Sequence, residues 1–214
     1  MKVLVACEYS GIVRDAFLAA GHDAMSCDLL PTESPGPHYQ GDVRDILHNG
    51  WDLLIAHPEC TYLTISANGW LKEQPPRKSG ALVGAARLAA QEEAAAFFME
   101  MINAPVPRIA VENPIGIMST LYQPPSQIIQ PWQFGHGETK GTCLWLKNLP
   151  GLLATDIVPG REPKTHFTGP GKTLQDRRKA RSKFFPGIAA AMAAQWGDPE
   201  RLARLGIQQQ LFAA

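Results

Sequence analysis

Residues 2–28 of the chain read KVLVACEYSGIVRDAFLAAGHDAMSCD. The apolar, β-branched run over 2–7 predicts a short strand that is buried on both faces. Apolar residues then recur on one face over 12–20, which predicts a helix, and a second strand is predicted over 22–27. A strand, a helix and a strand in this order form a parallel pair with a right-handed crossover. This segment therefore predicts an α/β fold.

The alternation of strands and helices continues along the rest of the chain. Buried strands are predicted over 51–56, 108–111 and 142–146, and an Ala-rich helix is predicted over 85–103. This alternation predicts an open, mostly parallel, Rossmann-like sheet with helices on both faces. The other predicted elements are a short strand end and helical turn over 41–47, an edge strand near 127–130, and helices over 188–196 and 200–205.

The length and composition are those of an ordinary globular protein. The 214 residues suit a single domain over 1–214, and 45% hydrophobic with 19% charged residues favours a packed core over disorder. The chain has no apolar run of about 18 residues and does not begin like a signal peptide, so we expect a cytoplasmic protein without a membrane partner. The four cysteines form no CxxC pair, so no metal site is expected.

The 20 basic and 20 acidic residues are separated along the sequence. Residues 1–139 hold 8 basic and 15 acidic residues, whereas residues 140–185 hold 10 basic and 3 acidic ones. The loop-rich segment over about 150–185 is thus basic on an otherwise acidic chain, which favours contact with a polyanion over the alternative of a solvated helix face. The candidate phosphate contacts are Lys172, Arg177, Arg178, Lys179, Arg181 and Lys183.

Polar residues follow several predicted strands, where an open α/β sheet binds its ligands. The turn over 8–11 joins a strand to a helix, and its single glycine allows a ligand to approach closely without matching the phosphate-binding pattern GxGxxG. Asp28 ends the second strand about 20 residues later, where an acid can accept hydrogen bonds from ribose hydroxyls. Asp42 follows the next strand end and could bind an adenine amine. The alternative is that both acids simply begin loops.

Two further strand ends carry reactive side chains. Cys60 ends the sequence HPEC between a strand and a long loop, which suits a nucleophilic thiolate, although a free cysteine is more often a small buried hydrophobe. Glu112 begins the sequence ENP, where a desolvated carboxyl can deliver a proton. The alternative is a helix cap by Asn113, with Glu112 as a paired surface charge. The remaining cysteines, Cys7, Cys27 and Cys143, lie inside predicted strands and are expected in the core.

These segments together resemble the DNA cytosine-C5 methyltransferases, and in particular a small Dcm-like group carried by bacteriophages. The family's first and third cofactor motifs are similar to VLVACEYSGIVRDAFLAAGHDAMSCDLLP (3–31) and GDVRDI (41–46). Its nucleophile and glutamate motifs are similar to LIAHPECTYLT (54–64) and IAVENPIGIMST (109–120). The bacteriophage group typically has segments like QPWQFGHGETKGTCLWLKNLP (130–150) and FPGIAAAMAAQW (185–196).

The resemblance implies a Rossmann-like methyltransferase sheet, the cofactor S-adenosylmethionine (SAM), and DNA as partner. It implies that Cys60 adds to C6 of cytosine, that Glu112 handles a proton at N3 and the exocyclic amine, and that C5 takes the methyl group of SAM. The residues implied to bind SAM are Glu8, Tyr9, Ser10, Gly11, Asp28, Asp42, Val43 and His57. The candidate DNA contacts are Asn68 and Lys72, in a predicted lid over 61–84, together with Lys172, Arg177, Arg178, Arg181 and Lys183.

The chain departs from the family in three places. Glu59 precedes the cysteine where the family usually has proline, and the QxRxR motif that helps to grip cytosine is replaced at best by Lys140. Only about 25 residues separate Pro150 from the basic segment, so a large target-recognition domain is missing, and a homodimer could supply what one subunit lacks. The alternatives are therefore C5 modification of RNA or of a free pyrimidine nucleotide, or a catalytically silent, methyltransferase-like DNA-binding protein.

Overall fold

The computed structural model describes residues 1–77, 80–163 and 183–198, together with residues 200 and 202. The strands are β1 (Lys2–Ala6), β2 (Asp23–Asp28), β3 (His38–Gln40), β4 (Leu53–Ala56), β5 (Arg108–Pro114), β6 (Gln127–Ile129) and β7 (Thr142–Lys147). The helices are α1 (Ile12–Ala19), α2 (Gly84–Ile102), α3 (Met118–Leu121) and α4 (Pro186–Trp196), with short 3₁₀ segments at Val43–Asp45, Ile65–Leu71 and Pro131–Gln133. Most of the predicted helix over 200–205 and most of the basic segment lie outside the described residues.

The seven strands of the described residues form one sheet in the order β3-β2-β1-β4-β5-β7-β6. The strands from β3 to β5 in that order are all parallel, and β7 pairs antiparallel with both β5 and β6. The strand order reverses between β1 and β4, which is the switch point where sheets of this kind bind ligands. The predicted open, mostly parallel, Rossmann-like sheet is confirmed.

Apolar side chains on both faces of the sheet hold the helices in place. Successive residues of a strand point to opposite faces, so Val3 and Val5 pack with α1 and α4, whereas Leu4 and Ala6 pack with α2. Burying each of the larger aliphatic side chains contributes about 1.5–3 kcal/mol, which makes the two layers the main source of stability. Helices therefore cover both faces, as predicted. Among the described residues, no helix combines the length and apolar character needed to cross a bilayer.

The cysteines expected in the core do not all lie in strands. Cys27 and Cys143 are 1% exposed within β2 and β7, which confirms the prediction for them. Cys7, however, lies one residue beyond β1 with φ 59° and is only half-buried. A left-handed backbone conformation ends the strand there, so the prediction of a strand cysteine is wrong at this position.

Two strands differ from the predicted elements. β3 occupies 38–40, just before the strand end predicted over 41–47, and three residues are too few to show a readable period. β5 continues through Pro114, so Asn113 is a strand residue, 2% exposed, and does not cap a helix. The side chain of Glu112 is 14% exposed, so the alternative of a paired surface charge is wrong.

Candidate active site

The parallel strands end at one edge of the sheet, and most of the predicted site residues lie there. Ala6 of β1 pairs with Cys27 and with Ala56, and Ala56 pairs with Val111, so the residues that follow these strands are neighbours. The predicted cofactor residues other than His57 follow β1, β2 and β3, whereas Cys60 and Glu112 belong to the β4 and β5 side. The prediction that the cysteine loop and the glutamate share one edge is confirmed.

Glu8 caps the start of α1. Its carboxylate accepts hydrogen bonds from the backbone N–H groups of Val13 at 2.7 Å and Arg14 at 3.2 Å, and from the hydroxyl of Ser10 at 3.1 Å. Because Glu8 is only 5% exposed, a buried negative charge already occupies this helix end. The helix end is therefore not available to a ligand phosphate. Gly11, with φ 75°, is itself buried, and a Cβ atom there would clash with the Arg14 guanidinium, so a ligand could meet this turn only on the side away from Arg14.

Arg14 fixes the loop after β2 beside that turn. It is completely buried, and its guanidinium donates hydrogen bonds to the hydroxyl of Ser26 at 3.1 Å and to the carbonyl of Ser34 at 3.0 Å. The same group contacts the carboxylate of Asp15 at 2.7 Å. A Cβ atom at Gly36 would lie 2.9 Å from the guanidinium carbon, so the loop can close over Arg14 only with glycine there. A buried charge thus fixes the loop beside the residues that were predicted to bind the cofactor.

The loop after β2 is also tied to the turn after β1. The carbonyl of Tyr9 accepts a hydrogen bond from the N–H of Glu33 at 2.8 Å, and both Tyr9 and Ser10 are 8% exposed. The ammonium of Lys183 forms an ion pair with the Glu33 carboxylate at 2.9 Å. Lys183, predicted as a phosphate contact, therefore already has an acidic partner near the cofactor side.

The two acids after β2 and β3 have different surroundings. Burial raises the pKa of Asp28, although its Oδ1 accepts a hydrogen bond from the N–H of Leu30 at 2.9 Å. Asp42 begins the 3₁₀ segment and accepts from the N–H and the guanidinium of Arg44, both at 3.0 Å, which hold its pKa below the usual range. The side chain of Val43 is 4% exposed, so only its backbone could face a ligand.

The ionisation of Cys60 depends on its burial and on the charges of Glu112, Lys140 and Glu59, of which Glu59 raises the pKa of the thiol as Glu112 does. Burial and the charge of Glu112 raise the pKa of the Cys60 thiol, whereas the charge of Lys140 lowers it. Burial would also raise the pKa of Glu112, but a hydrogen bond from His57 and the charges of His57 and Lys140 outweigh burial and lower it. Lys140 reaches this edge because β7 runs antiparallel to β5, which pairs Thr142 with the end of β5. The resting site therefore combines a neutral thiol with an ionised carboxylate.

Hydrogen bonds from two neighbouring elements hold the backbone on both sides of Cys60. From α2, Arg87 donates to the carbonyl of Thr61 at 3.0 Å and Gln91 to the carbonyl of Tyr62 at 2.9 Å. From β5, Asn113 donates to the carbonyl of Pro58 at 2.9 Å. The first residues of the predicted lid are therefore fixed, and only the part of 61–84 beyond Leu63 could move as a lid.

His57 joins the ends of β4 and β5. Its Nδ1 lies 3.2 Å from Oε2 of Glu112, and its ring lies against Phe184 with 4.8 Å between ring centres. The second ring nitrogen, Nε2, is buried and has no hydrogen-bond partner among the described residues. His57 was predicted as a cofactor contact, but here its ring contacts the predicted proton-handling residue.

The candidate DNA contacts fall into two groups. Asn68 lies in the exposed 3₁₀ segment over 65–71, and Lys72 follows it with an exposed side chain. Between them Trp70 stacks against the guanidinium groups of Arg77 and Arg87 at 4.4 and 5.2 Å. The others, Lys172, Arg177, Arg178 and Arg181, lie outside the described residues, so their role stays a prediction.

Comparisons with known proteins find only distant similarity to solved structures. No protein-family model and no curated protein matches the chain. One solved structure, described as a DNA modification methyltransferase encoded within an E. coli prophage, has 13% identity over 80% of this chain and 56% of its own, with a TM-score of 0.46. A mutant of DNMT2 from Spodoptera frugiperda has 15% identity over 74% of this chain and 57% of its own, with a TM-score of 0.38. The chain thus spans a little over half the length of either structure.

Several residues that build the site were not predicted from the sequence. Arg87 and Gln91 did leave a signal, because they are the single arginine and the single glutamine of α2 and lie four residues apart on one helix face. Arg14 left none, since a basic residue in the first turn of a helix usually faces solvent. The contact between His57 and Glu112 joins residues 55 positions apart, and only the strand register brings them together.

Proposed function

We propose that this protein is a SAM-dependent methyltransferase that modifies C5 of cytosine in DNA through a covalent bond between Cys60 and C6. The observation that carries the proposal is the grouping of Cys60, Glu112 and Lys140 at the carboxyl ends of β4 and β5. A thiol, a carboxylate and a cation are the groups that nucleophilic addition to a pyrimidine ring needs.

The chemistry of the neighbouring strand ends fits SAM. The start of α1 is occupied by the Glu8 carboxylate, which disfavours a cofactor with phosphate groups, and SAM has none. The partly desolvated Asp28 suits two ribose hydroxyls, because they would donate hydrogen bonds to a carboxylate that lacks full hydration. Tyr9, Ser10 and Gly11 would line the methionine part, and Asp42 with the backbone of Val43 would meet the adenine. When bound there, SAM supplies an electrophilic methyl group.

The charges around Cys60 suggest how the thiol is activated. In the resting site the Glu112 carboxylate raises the pKa of Cys60. The proton of the Cys60 thiol would move to the ionised Glu112 carboxylate and from there to N3 of the cytosine, which removes the negative charge beside the thiolate and leaves the favourable effect of Lys140. The thiolate would therefore form when substrate is in place. Its addition to C6 places electron density on C5, which would take the methyl group with the demethylated cofactor as leaving group. Loss of the C5 proton to water and of the Cys60 thiolate from C6 would then restore the ring.

The test is incubation of the purified protein with isotopically labelled SAM, followed by mass analysis of nucleosides. Separate reactions contain duplex DNA, RNA and dCMP. The segment after β7 is too short for a large target-recognition domain, so the experiment must determine which of these substrates is methylated. Labelled 5-methyldeoxycytidine from DNA supports the proposal. Label found only in RNA or in the free nucleotide would mean that the substrate is not DNA. The absence of transfer to any of the three contradicts the proposal. The predicted homodimer stays a prediction.

Asp28→Asn should weaken SAM binding and at the same time stabilise the free protein. The amide keeps the contact with Leu30 but accepts ribose hydrogen bonds less well, so we expect roughly 10- to 100-fold weaker binding. Because burial raises the pKa of Asp28, its ionised form costs stability near pH 7, and the neutral amide removes that cost. Calorimetry with SAM and thermal unfolding without it measure the two effects. Asp23→Asn, at the opposite, exposed end of β2, is the matched control. Unchanged SAM affinity in Asp28→Asn would remove Asp28 from the cofactor site.

Arg178→Ala combined with Arg181→Ala should flatten the salt dependence of DNA binding. If both side chains contact phosphates, the slope of log K against log salt should fall by roughly 2. The control is Lys2→Ala with Lys147→Ala, which removes the same charge from the sheet edge opposite Cys60 and Glu112. Equal slopes in the two double variants would assign the basic segment to a solvated face.

A further inference from the structure

We propose that His57 is a positioning residue: its ring holds one oxygen of Glu112 and keeps that carboxylate charged, so that the other oxygen meets the amino group of a cytosine-type ring. This inference rests on the proposed function and extends it to the choice of base. It places His57 with the residues that would recognise the base and not with those that would bind the cofactor.

The position of His57 is set by the backbone. The register that pairs Ala56 with Val111 puts the next residues, His57 and Glu112, side by side at the sheet edge. The N–H of His57 donates to the carbonyl of Ala6 at 3.0 Å, and Phe184 covers the ring. The side chain is 12% exposed, so the ring has little freedom to turn away from Glu112.

The hydrogen bond has one possible direction when Glu112 is ionised. A carboxylate only accepts, so Nδ1 of His57 must donate its proton to Oε2 across the 3.2 Å contact. Among the described residues Oε1 has no hydrogen-bond partner, so one oxygen is held and the other is left for a ligand. A buried Nε2 without a hydrogen-bond partner lowers stability, and an apolar side chain at position 57 would avoid this loss. The contact with Glu112 offers a reason to keep a histidine there.

The groups around Glu112 have opposite effects on its ionisation. Burial favours the neutral acid, and the adjacent thiols of Cys60 and Cys143 would disfavour the carboxylate if either ionised. His57 and Lys140 favour the ionised form and prevail, because the pKa of Glu112 lies below its ordinary value. Without His57, only the charge of Lys140 would oppose the effect of burial, which raises the pKa of Glu112.

A charged Oε1 selects between pyrimidines. The exocyclic amine of cytosine presents a donor, which a carboxylate binds well, whereas uracil and thymine present a carbonyl oxygen at the same position and repel it. A neutral carboxyl could donate to that carbonyl and would lose this selectivity. His57 therefore acts on base choice through Glu112, without touching the base itself.

The test compares His57→Phe, which keeps a ring against Phe184 but removes the donor, with His57→Asn, whose amide can still donate at the position of Nδ1. His48→Asn, at an exposed position, is the matched control. The pKa of Glu112 is read by carbon NMR of protein labelled at the glutamate carboxyl carbon. We expect the pKa of Glu112 to rise in His57→Phe, to rise less in His57→Asn, and to stay unchanged in His48→Asn.

Turnover supplies the second readout. We expect kcat on cytosine DNA to fall about 100-fold in His57→Phe with KM little changed, and His57→Asn to recover most of it. The preference for binding cytosine over uracil oligonucleotides should decrease strongly in His57→Phe and less in His57→Asn. An unchanged Glu112 pKa in His57→Phe overturns the inference, and so does a shifted pKa with unchanged turnover and base preference. If the unaltered protein transfers no methyl group, the proposed function fails, and the carboxyl pKa still decides whether His57 controls the charge of Glu112.

Discussion

Replacement of Cys60 by serine should abolish methyl transfer, with turnover at least about 10⁴-fold below that of the unaltered protein. The hydroxyl is far less acidic than the thiol and, beside the Glu112 carboxylate, has no prospect of ionising near pH 7. SAM binding should be nearly unchanged, because Cys60 follows β4 whereas the proposed cofactor residues lie at or just after the ends of β1, β2 and β3. Single-turnover assays with labelled SAM and SAM calorimetry measure the two quantities.

The matched control is Cys143→Ser, which removes the other thiol close to Glu112. Cys143 is 1% exposed inside β7, so this change should lower stability by about 1–3 kcal/mol and leave turnover in place. DNA that contains 5-fluorocytosine should trap a covalent adduct, because fluorine at C5 blocks the final elimination. Peptide mass mapping should find that adduct on Cys60. An adduct on another cysteine, or full activity in Cys60→Ser, would overturn the mechanism.

The second large effect is structural. Arg14→Met should destabilise the protein by about 1–3 kcal/mol, because it leaves the carbonyl of Ser34 without its buried donor and removes the hydrogen bond to Ser26, whereas water can solvate the 41% exposed Asp15. Against a typical total of about 5–15 kcal/mol, the free energy of unfolding would fall by a large fraction. Urea unfolding followed by circular dichroism measures it. Arg14→Lys should recover little, because an ammonium group cannot replace the planar fork of donors.

Arg44 offers the control for Arg14. Its guanidinium also pairs with acids, Asp42 and Glu100, but its side chain is 51% exposed. Such surface pairs contribute about 0–1 kcal/mol, so Arg44→Met should leave the unfolding midpoint close to that of the unaltered protein. Equal losses in Arg14→Met and Arg44→Met would mean that burial of Arg14 does not matter for stability.

Local patterns in the sequence were enough to predict the sheet and the reactive residues. The strand, helix and strand over residues 2–28 predict a parallel sheet, and in such a sheet the residues that follow strands meet at one edge. Cys60 and Glu112 could therefore be predicted together, because both follow buried apolar runs. Their catalytic roles stay predictions, since the geometry agrees with them but does not test them.

The contacts around these residues depend on features that composition does not encode. A strand such as TCLWLK has the same apolar character whether it runs parallel or antiparallel, so the sequence did not indicate that β7 would bring Lys140 to the end of β5. Likewise, Arg14 has its effect through a loop about 20 residues away. Long-range pairings of this kind arise from topology and not from local preference.

The sheet ends on both sides in very short strands, β3 and β6, of three residues each. An edge strand presents unpaired N–H and C=O groups on which another chain can add a strand, and longer, flatter edges are templates for aggregation. Three residues offer too little backbone for such an addition to be stable. The architecture that gathers the site residues at one edge therefore also leaves little opportunity for the sheets of neighbouring molecules to join.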